Sequence, residues 1–249
     1  MSYTIRPLRN GECVIAGHHA FYQGNPEERY PFGLFLWLIE GGEKPILVDA
    51  GLEDVEDMNR GAAHVLAKPI VQPPEEATLT QLARHGYQPE DIGYVFITHL
   101  HFDHVDQLDL YTNAKIVVSA RGLAAATANQ GWVGSWAPGK TLEGLTNLWK
   151  ERVITVDDIQ VAPGIKVMWI GGHTPCSQAV CVQTAMGEVI LTGDTVSLLG
   201  NIERQIPMGI HDNLNECRAA LKKLAERGSI IIPSHDPGVF DRYPEGVIG

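Results

Sequence analysis

The feature that most constrains this chain is THLHFDH at residues 98–104, a concentration of metal-ligand residue types. It directly follows the apolar run Tyr94–Ile97, which predicts a buried strand. Alternate residues at a strand end face one side, so His99, His101 and Asp103 can converge, and a turn would bring the last histidine to them. Imidazole nitrogens and carboxylate oxygens are ligands for zinc, iron or manganese. The stretch therefore predicts a metal site at a strand end.

Four more polar residues stand just past apolar strands elsewhere in the chain. His173, Asp194 and His235 each follow such a run, and the glycines before His173 and Asp194 permit tight turns. Asp49 ends the strand Pro45–Val48, where a carboxylate is either a solvated turn residue or a partner for a metal-bound histidine. Any one of His173, Asp194 and His235 alone is more often a loop residue. Together with residues 98–104, the three residues His173, Asp194 and His235 are predicted to be ligands.

The order of elements predicts an α+β fold in a single domain spanning residues 1–249. Strands and a helix come first, and strands and a helix follow again, which indicates two sheets packed face to face with helices outside. Asn10-Gly11 is a turn signal and predicts a hairpin of Thr4–Leu8 with Glu12–Ala16. Asn213–Arg227 is predicted to be an amphipathic helix that begins with a capping box of Asn213 and Glu216.

Two loops are candidates for the walls of a substrate pocket. Residues Leu52–Pro74 lack periodicity and are rich in turn residues, which favours a lid or binding loop bordering the metals. Trp132 and Trp136 lie in a loop rich in glycine and proline. These tryptophans either cover a core edge or form an apolar wall of the pocket.

Charge and apolar patterning exclude several classes of partner. A formal net charge of −11 over 249 residues argues against nucleic acid and anionic membranes as partners. The apolar runs are strand-sized, and the first residues show no signal peptide, so we expect a cytoplasmic protein. The four cysteines have no C-x-x-C spacing, as expected for reduced thiols.

These motifs resemble the metallo-β-lactamase superfamily over nearly the whole chain. The resemblance implies an αββα sandwich with two divalent metal ions at one edge, Zn²⁺ first and Fe or Mn as alternatives. It assigns one metal to His99, His101 and His173, the other metal to Asp103, His104 and His235, the bridging position to Asp194, and a supporting role to Asp49.

Within the superfamily the chain is most similar to the N-acyl homoserine lactonases, which are quorum-quenching enzymes, and to other small-ring lactonases. The likeness is carried by PILVDAG at residues 45–51, GYQPED at residues 86–91 and residues 98–104. It implies a small cyclic substrate, a monomer or homodimer, and a pocket contact by His211. Ser197 stands where these lactonases place a substrate-contacting tyrosine. We therefore expect weak turnover of acyl homoserine lactones and better turnover of another small lactone or cyclic amide.

The two-metal site predicts hydrolysis. Two divalent cations ~3.5–4 Å apart can share one water and lower its pKa from ~15.7 toward ~7, which makes a nucleophile for a carbonyl carbon. Asp194 would bridge the cations, and Asp103 is a candidate proton carrier to the leaving alkoxide. The same machinery could open a cyclic amide or imide, or cleave a thioester as glyoxalase II-like enzymes do. A non-hydrolytic iron redox or metal-binding protein is the alternative from another class, and a coloured iron centre would distinguish it.

Overall fold

Two mixed β-sheets lie face to face in the structure, a computed structural model that describes residues 2–128 and 138–249. Their strands are β1 Thr4–Ala16, β2 Arg29–Glu40, β3 Ile46–Val48, β4 Leu66–Val71, β5 Tyr94–Phe96, β6 Lys115–Ser119, β7 Val153–Val156, β8 Gln160–Ala162, β9 Ile165–Trp169, β10 Gln178–Thr184, β11 Gly187–Leu191 and β12 Ile230–Ile232. Among the described residues the first sheet has the order β4-β1-β2-β3-β5-β6-β7, and the second has the order β12-β11-β10-β9-β8. Each sheet combines antiparallel and parallel pairs.

Helices alternate with the strands along the chain. They are α1 Gly17–Ala20, α2 Val55–Gly61, α3 Thr78–Arg84, α4 Phe102–Val105, α5 Ala120–Thr127, α6 Gly139–Glu143, α7 Leu199–Glu203, α8 Leu214–Ala225 and α9 Val239–Arg242. In the described part of the chain, none of them is long and apolar enough to cross a membrane.

Side-chain alternation along the strands produces three apolar layers. In β2, Trp37 and Ile39 face the second sheet and pack with its residues, such as Val180. The neighbouring Leu38 faces outward and packs under the helices with Leu82. On the other outside face, α8 covers β9, β10 and β11 with an apolar stripe of its own. This arrangement confirms the predicted αββα sandwich.

The predicted hairpin at Asn10-Gly11 is wrong. Thr4–Ala16 is one continuous strand that pairs antiparallel with β2, and the register shifts between Arg9 and Glu12. The two turn residues therefore form a β-bulge, in which Gly11 has a φ of 128°. Asn10 is buried, and its side chain bonds to residues of another segment, so the bulge serves as an anchor point.

The segment Leu52–Pro74 is more regular than its sequence predicts, because it contains α2 and β4. Asn59 stabilises it: its amide donates to the Ile70 carbonyl (3.0 Å) and accepts from the Ile70 N–H (2.7 Å). The helix predicted at residues 213–227 is confirmed as α8, and Asn213 caps it. Glu216 does not complete a capping box, because its carboxylate accepts a hydrogen bond from the Gly172 N–H (3.0 Å).

Candidate metal centre

The predicted ligand residues meet at one edge of the sandwich because strand ends deliver them there. Strands β3 and β5 are parallel neighbours, so Asp49 and residues 98–104 emerge side by side. Strands β11 and β12 are also parallel neighbours, and they deliver Asp194 and His235 in the same way. His173 comes from the turn after β9.

The seven residues form two adjoining groups of potential ligand atoms. Within each group the atoms lie within 4.8 Å of one another: His99, His101, His173 and Asp194 in one, and Asp103, His104 and His235 in the other. Asp194 faces both groups. Its Oδ2 lies 3.8 Å from His99 Nε2 and 3.6 Å from His173 Nε2. Its Oδ1 lies 3.3 Å from His104 Nε2 and 2.9 Å from His235 Nε2.

Four of the histidines are held from behind at Nδ1. The partners are Thr98 Oγ1 for His99 (3.1 Å), Asp49 Oδ2 for His104 (2.7 Å), the Ile210 carbonyl for His173 (2.7 Å) and the Gly33 carbonyl for His235 (2.8 Å). Each partner orients the ring so that Nε2 points into the cluster. Within the described structure, Nε2 of His99 and of His104 is buried and has no hydrogen-bond partner. Nitrogen donors left open in this way fit a bound cation.

Asp49 supports the cluster from a constrained backbone position. It has a φ of 66°, in the left-handed region that only a minority of non-glycine residues adopt. Its Oδ1 accepts from the Thr98 N–H (2.8 Å), and its Oδ2 faces His104. Ser234 has a comparable role, because its hydroxyl donates to Asp194 Oδ1 (2.8 Å). Sequence reasoning missed Thr98 and Ser234, although each directly precedes a predicted ligand.

The electrostatics of the cluster favour positive charge. Burial works to raise the pKa of the Asp194 and Asp103 carboxyl groups. Nevertheless, His235 and His104 hold the pKa of Asp194 well below its usual value, and His104 lowers the pKa of Asp103 to about 2. Burial opposes protonation of His104 and His235, yet the carboxylates facing them raise both pKa values. Burial lowers the pKa of the remaining three, His99, His101 and His173. Two ionised carboxylates beside five imidazoles, each of which must be unprotonated at the nitrogen that binds a cation, form a donor set that suits divalent cations.

Two glycines let the backbone approach the cluster. Gly172 has a φ of +83°, and a Cβ there would lie 2.5 Å from the backbone nitrogen of Cys217 in α8. Gly193 has a φ of +54°, and a Cβ there would lie 2.7 Å from the Cβ of Thr98. The close approach predicted beside His173 and Asp194 is therefore present, and only glycine meets both the conformation and the space.

A pocket opens in front of the cluster. At its base lie five of the seven predicted ligands: His101, Asp103, His173, Asp194 and His235. Its wall is apolar and is built from β1, β2, the segment Leu52–Pro74 and the loop before α8: Cys13, Ile15, Phe32, Leu34, Met58, Ala62, Val65, Leu66, Ile70, Met208 and Ile210. The prediction that Leu52–Pro74 borders the cluster is confirmed. Among the described residues that line this pocket there is no lysine or arginine.

A model of the Metallo-beta-lactamase superfamily matches residues 29–235, from β2 to the last residue of the cluster. The chain belongs to this superfamily. The family and the histidine–aspartate cluster make it a metal-dependent hydrolase.

Its curated relatives in the superfamily include N-acyl homoserine lactonases. One from a Bacillus species is 28% identical over 235 residues, which cover 92% of this chain and 88% of the relative. The lactonase AiiA of Bacillus thuringiensis subsp. kurstaki is 26% identical over the same shares. A solved N-acyl homoserine lactone hydrolase, with N-hexanoyl-L-homoserine at its catalytic metal centre, has the same fold: the TM-score is 0.82 at 24% identity, covering 98% of this chain and 99% of that one.

The predicted substrate contacts occupy different places around this superfamily site. Ser197 is fully buried, and its one hydroxyl hydrogen is shared between the Asp194 carbonyl (3.1 Å) and Met208 Sδ (3.0 Å), so it faces away from the pocket. His211 is partly buried next to the wall residue Ile210; its Nδ1 lies 2.8 Å from the Met208 carbonyl, and its ring contacts Tyr22. Trp132 and Trp136 lie outside the described residues. The apolar wall residues in β1 and β2 were missed, although their alternation along each strand was a signal.

Proposed function

We propose that this protein is a dinuclear-metal hydrolase that opens a small cyclic ester, a lactone. The observation that carries the proposal is the position of Asp194, whose two carboxylate oxygens face the two groups of the cluster at the base of an apolar pocket. A carboxylate so placed can bridge two cations, and a buried apolar pocket suits a small organic ring.

The proposed ligand assignment follows the two groups. His99, His101 and His173 would hold one cation, Asp103, His104 and His235 would hold the other, and Asp194 would serve both. Nitrogen and carboxylate donors of this kind favour Zn²⁺, with Fe and Mn as the alternatives. The groups behind the rings keep each Nε2 directed at the cation positions, as a preorganised site requires.

The residues and the cations divide the chemistry between them. When bound, the cations supply Lewis acidity and an activated water. Asp103 lines the pocket, and its Oδ2 lies 3.3 Å from His104 Nε2 and 3.8 Å from His235 Nε2. From that position its carboxylate can receive a proton and pass it to the leaving alkoxide of the opened ring. Asp194 links the two groups of ligand residues, and the apolar wall excludes bulk water.

A lactone substrate is supported by the relatives and by the wall. The curated relatives that cover nine-tenths of the chain carry the name N-acyl homoserine lactonase. The described lining has no lysine or arginine to receive a carboxylate, which disfavours an anionic thioester of the glyoxalase II type. Cyclic amides and imides fit the same pocket and are separated from lactones by a direct comparison of turnover.

Metal analysis and a substrate panel test the proposal. We expect the purified protein to bind two metal equivalents and to open lactones faster than it cleaves cyclic amides or thioesters at neutral pH. Asp194→Ala removes the carboxylate shared by both groups, so we expect it to lose at least one equivalent together with its turnover. One metal per chain in the wild type, with occupancy and activity intact in Asp194→Ala, would show that the bridging assignment is wrong.

A further inference from the structure

We propose that the pocket selects ring esters whose substituent is a plain alkyl chain, and that it discriminates against an amide next to the ring. This proposal rests on the proposed ring-ester hydrolysis and specifies its substrate class. It is carried by the chemistry of the pocket wall, which offers apolar contact and few hydrogen-bonding groups.

The side chains of the wall provide the first argument. Of the described residues that line the pocket, those with strongly hydrogen-bonding side chains all belong to the candidate metal centre. The rest present carbon atoms, or the sulfur atoms of Cys13, Met58 and Met208, which are weak hydrogen-bonding partners. A substituent that leaves the ring and lies along this wall therefore meets apolar surface.

Backbone N–H and C=O groups of the wall form hydrogen bonds within the protein. In α2 and the turn after it, the N–H groups of Met58, Ala62 and Val65 each donate to a carbonyl of the same segment. Both backbone groups of Ile70 bond to the Asn59 side chain. The carbonyl of Ile210 is held by the His173 ring (2.7 Å). These main-chain groups therefore have partners without any substrate.

Two polar side chains next to the wall residues Met208 and Ile210, those of Ser197 and His211, have partners as well. The Ser197 hydroxyl shares its one hydrogen between the Asp194 carbonyl and the sulfur of Met208, behind the wall. His211 uses Nδ1 on the Met208 carbonyl. The Ser197 hydroxyl would have to give up a contact to serve a substrate amide, and His211 is not among the described residues that line the pocket.

The cost of an unsatisfied amide sets the size of the expected discrimination. An amide next to the ring exchanges its hydrogen bonds to water for apolar contact, whereas two methylenes in its place gain by the same burial. The penalty for one buried polar group without a partner corresponds to roughly 10–100-fold in an equilibrium or rate constant.

Two substrates of equal length test this directly with the metal-loaded protein. N-Hexanoyl-homoserine lactone and α-heptyl-γ-butyrolactone have the same ring and chain length and differ in an amide against two methylenes. We expect kcat/KM to be at least tenfold higher for the alkyl lactone, and unsubstituted γ-butyrolactone to be the poorest of the three. An equal or higher kcat/KM for the acylamino lactone would overturn the proposal while leaving ring-ester hydrolysis intact. If none of the three rings is opened, the proposed function fails and this proposal fails with it.

A pair of variants at Met58 tests the cause. Met58 is partly buried on α2 and lines the pocket, so Met58→Gln introduces an amide partner without disturbing the core. We expect Met58→Gln to shift the kcat/KM ratio toward the acylamino lactone by about threefold or more, and Met58→Leu to keep the wild-type ratio. The same ratio in all three proteins would show that hydrogen bonding along the wall does not set the preference.

Discussion

Each imidazole of the metal centre depends on the group behind it, and Asp49 shows this most clearly. Its carboxylate accepts hydrogen bonds from the Thr98 N–H and hydroxyl and faces His104 Nδ1 at 2.7 Å. One side chain thus fixes the backbone at Thr98 and the ring of the predicted ligand His104, six residues later. Because a ring's direction determines where its Nε2 points, Asp49 positions Nε2 of the predicted ligand His104.

Asp49→Asn should weaken metal binding while the fold is retained. In either orientation of the new amide, its NH₂ faces a donor, either the Thr98 N–H or His104 Nδ1–H, so one contact becomes repulsive. We expect metal affinity to fall roughly 10–100-fold in competition with a chelator.

Asp106→Asn is the matched control. Asp106 is also buried and accepts two backbone hydrogen bonds, from Glu53 and Asp54. We expect this variant to lower the free energy of unfolding but to keep wild-type metal affinity. Equal losses of affinity in the two variants would assign the effect to general destabilisation.

At the scale of elements, the site was more predictable than the segments around it. A ligand at the end of an apolar strand is a local pattern, and parallel neighbours bring such ends together whatever their separation in sequence. The Asn10-Gly11 signal is also local, but long-range pairing of β1 with β2 along both sides of the bulge overrides it. The order in residues 52–74 depends on the contact of Asn59 with Ile70, which no periodicity reveals. The orientation of the Ser197 hydroxyl likewise depends on tertiary contacts.

The turn after β9 gives a prediction at this scale. Gly172 and Gly86 have nearly equal left-handed φ values, +83° and +81°, but only Gly172 is crowded, by α8. Gly86→Ala should therefore cost only the conformational term, about 1 kcal/mol of unfolding free energy, with unchanged metal content. Gly172→Ala should cost more and should lower metal occupancy, because relief of the clash displaces His173. Denaturant unfolding and metal analysis of both variants measure this, and equal losses would contradict it.

For the whole molecule, the centre couples metal binding to stability. It places carboxylates and imidazoles together in a buried space, so cations that bind only the folded chain stabilise it. At a free metal concentration of about 1,000 Kd the gain is about 4 kcal/mol. For a chain of 249 residues this corresponds to a Tm shift of about 10 °C on chelation, measured by calorimetry. Asp194→Ala should show a smaller shift, and a wild-type Tm indifferent to chelator would contradict the coupling.

Glu188 on β11, far from the metal centre, contributes to how the free energy of unfolding depends on pH in the acid range. Burial works to raise the pKa of Glu188, but hydrogen bonds from Ser229, Arg227 and Lys166 hold it below the ordinary value of 4.5. A carboxyl group whose pKa is lowered by folding stabilises the folded state at pH values above its pKa in the unfolded chain. This stabilisation is lost as the pH falls through its pKa in the folded chain. Glu188→Gln should therefore reduce the unfolding free energy by about 0.5–1 kcal/mol at pH 7, and less below pH 4. A loss that is independent of pH would contradict the ionic origin.

The attachment of residues 52–72 has a consequence for how such a protein diversifies. Gln72 Nε2 donates to the carbonyls of both Asn10 (2.9 Å) and Leu52 (3.0 Å), and Asn10 Oδ1 accepts from the Leu52 N–H (2.6 Å). Both ends of the segment are thus fixed at the β1 bulge, and its strand β4 pairs with β1. We expect that changes of sequence or length before β4, where Met58, Ala62 and Val65 line the pocket, alter the pocket wall without moving a predicted metal ligand. Related proteins can therefore differ in substrate through changes in this segment while the metal centre and its reaction stay the same.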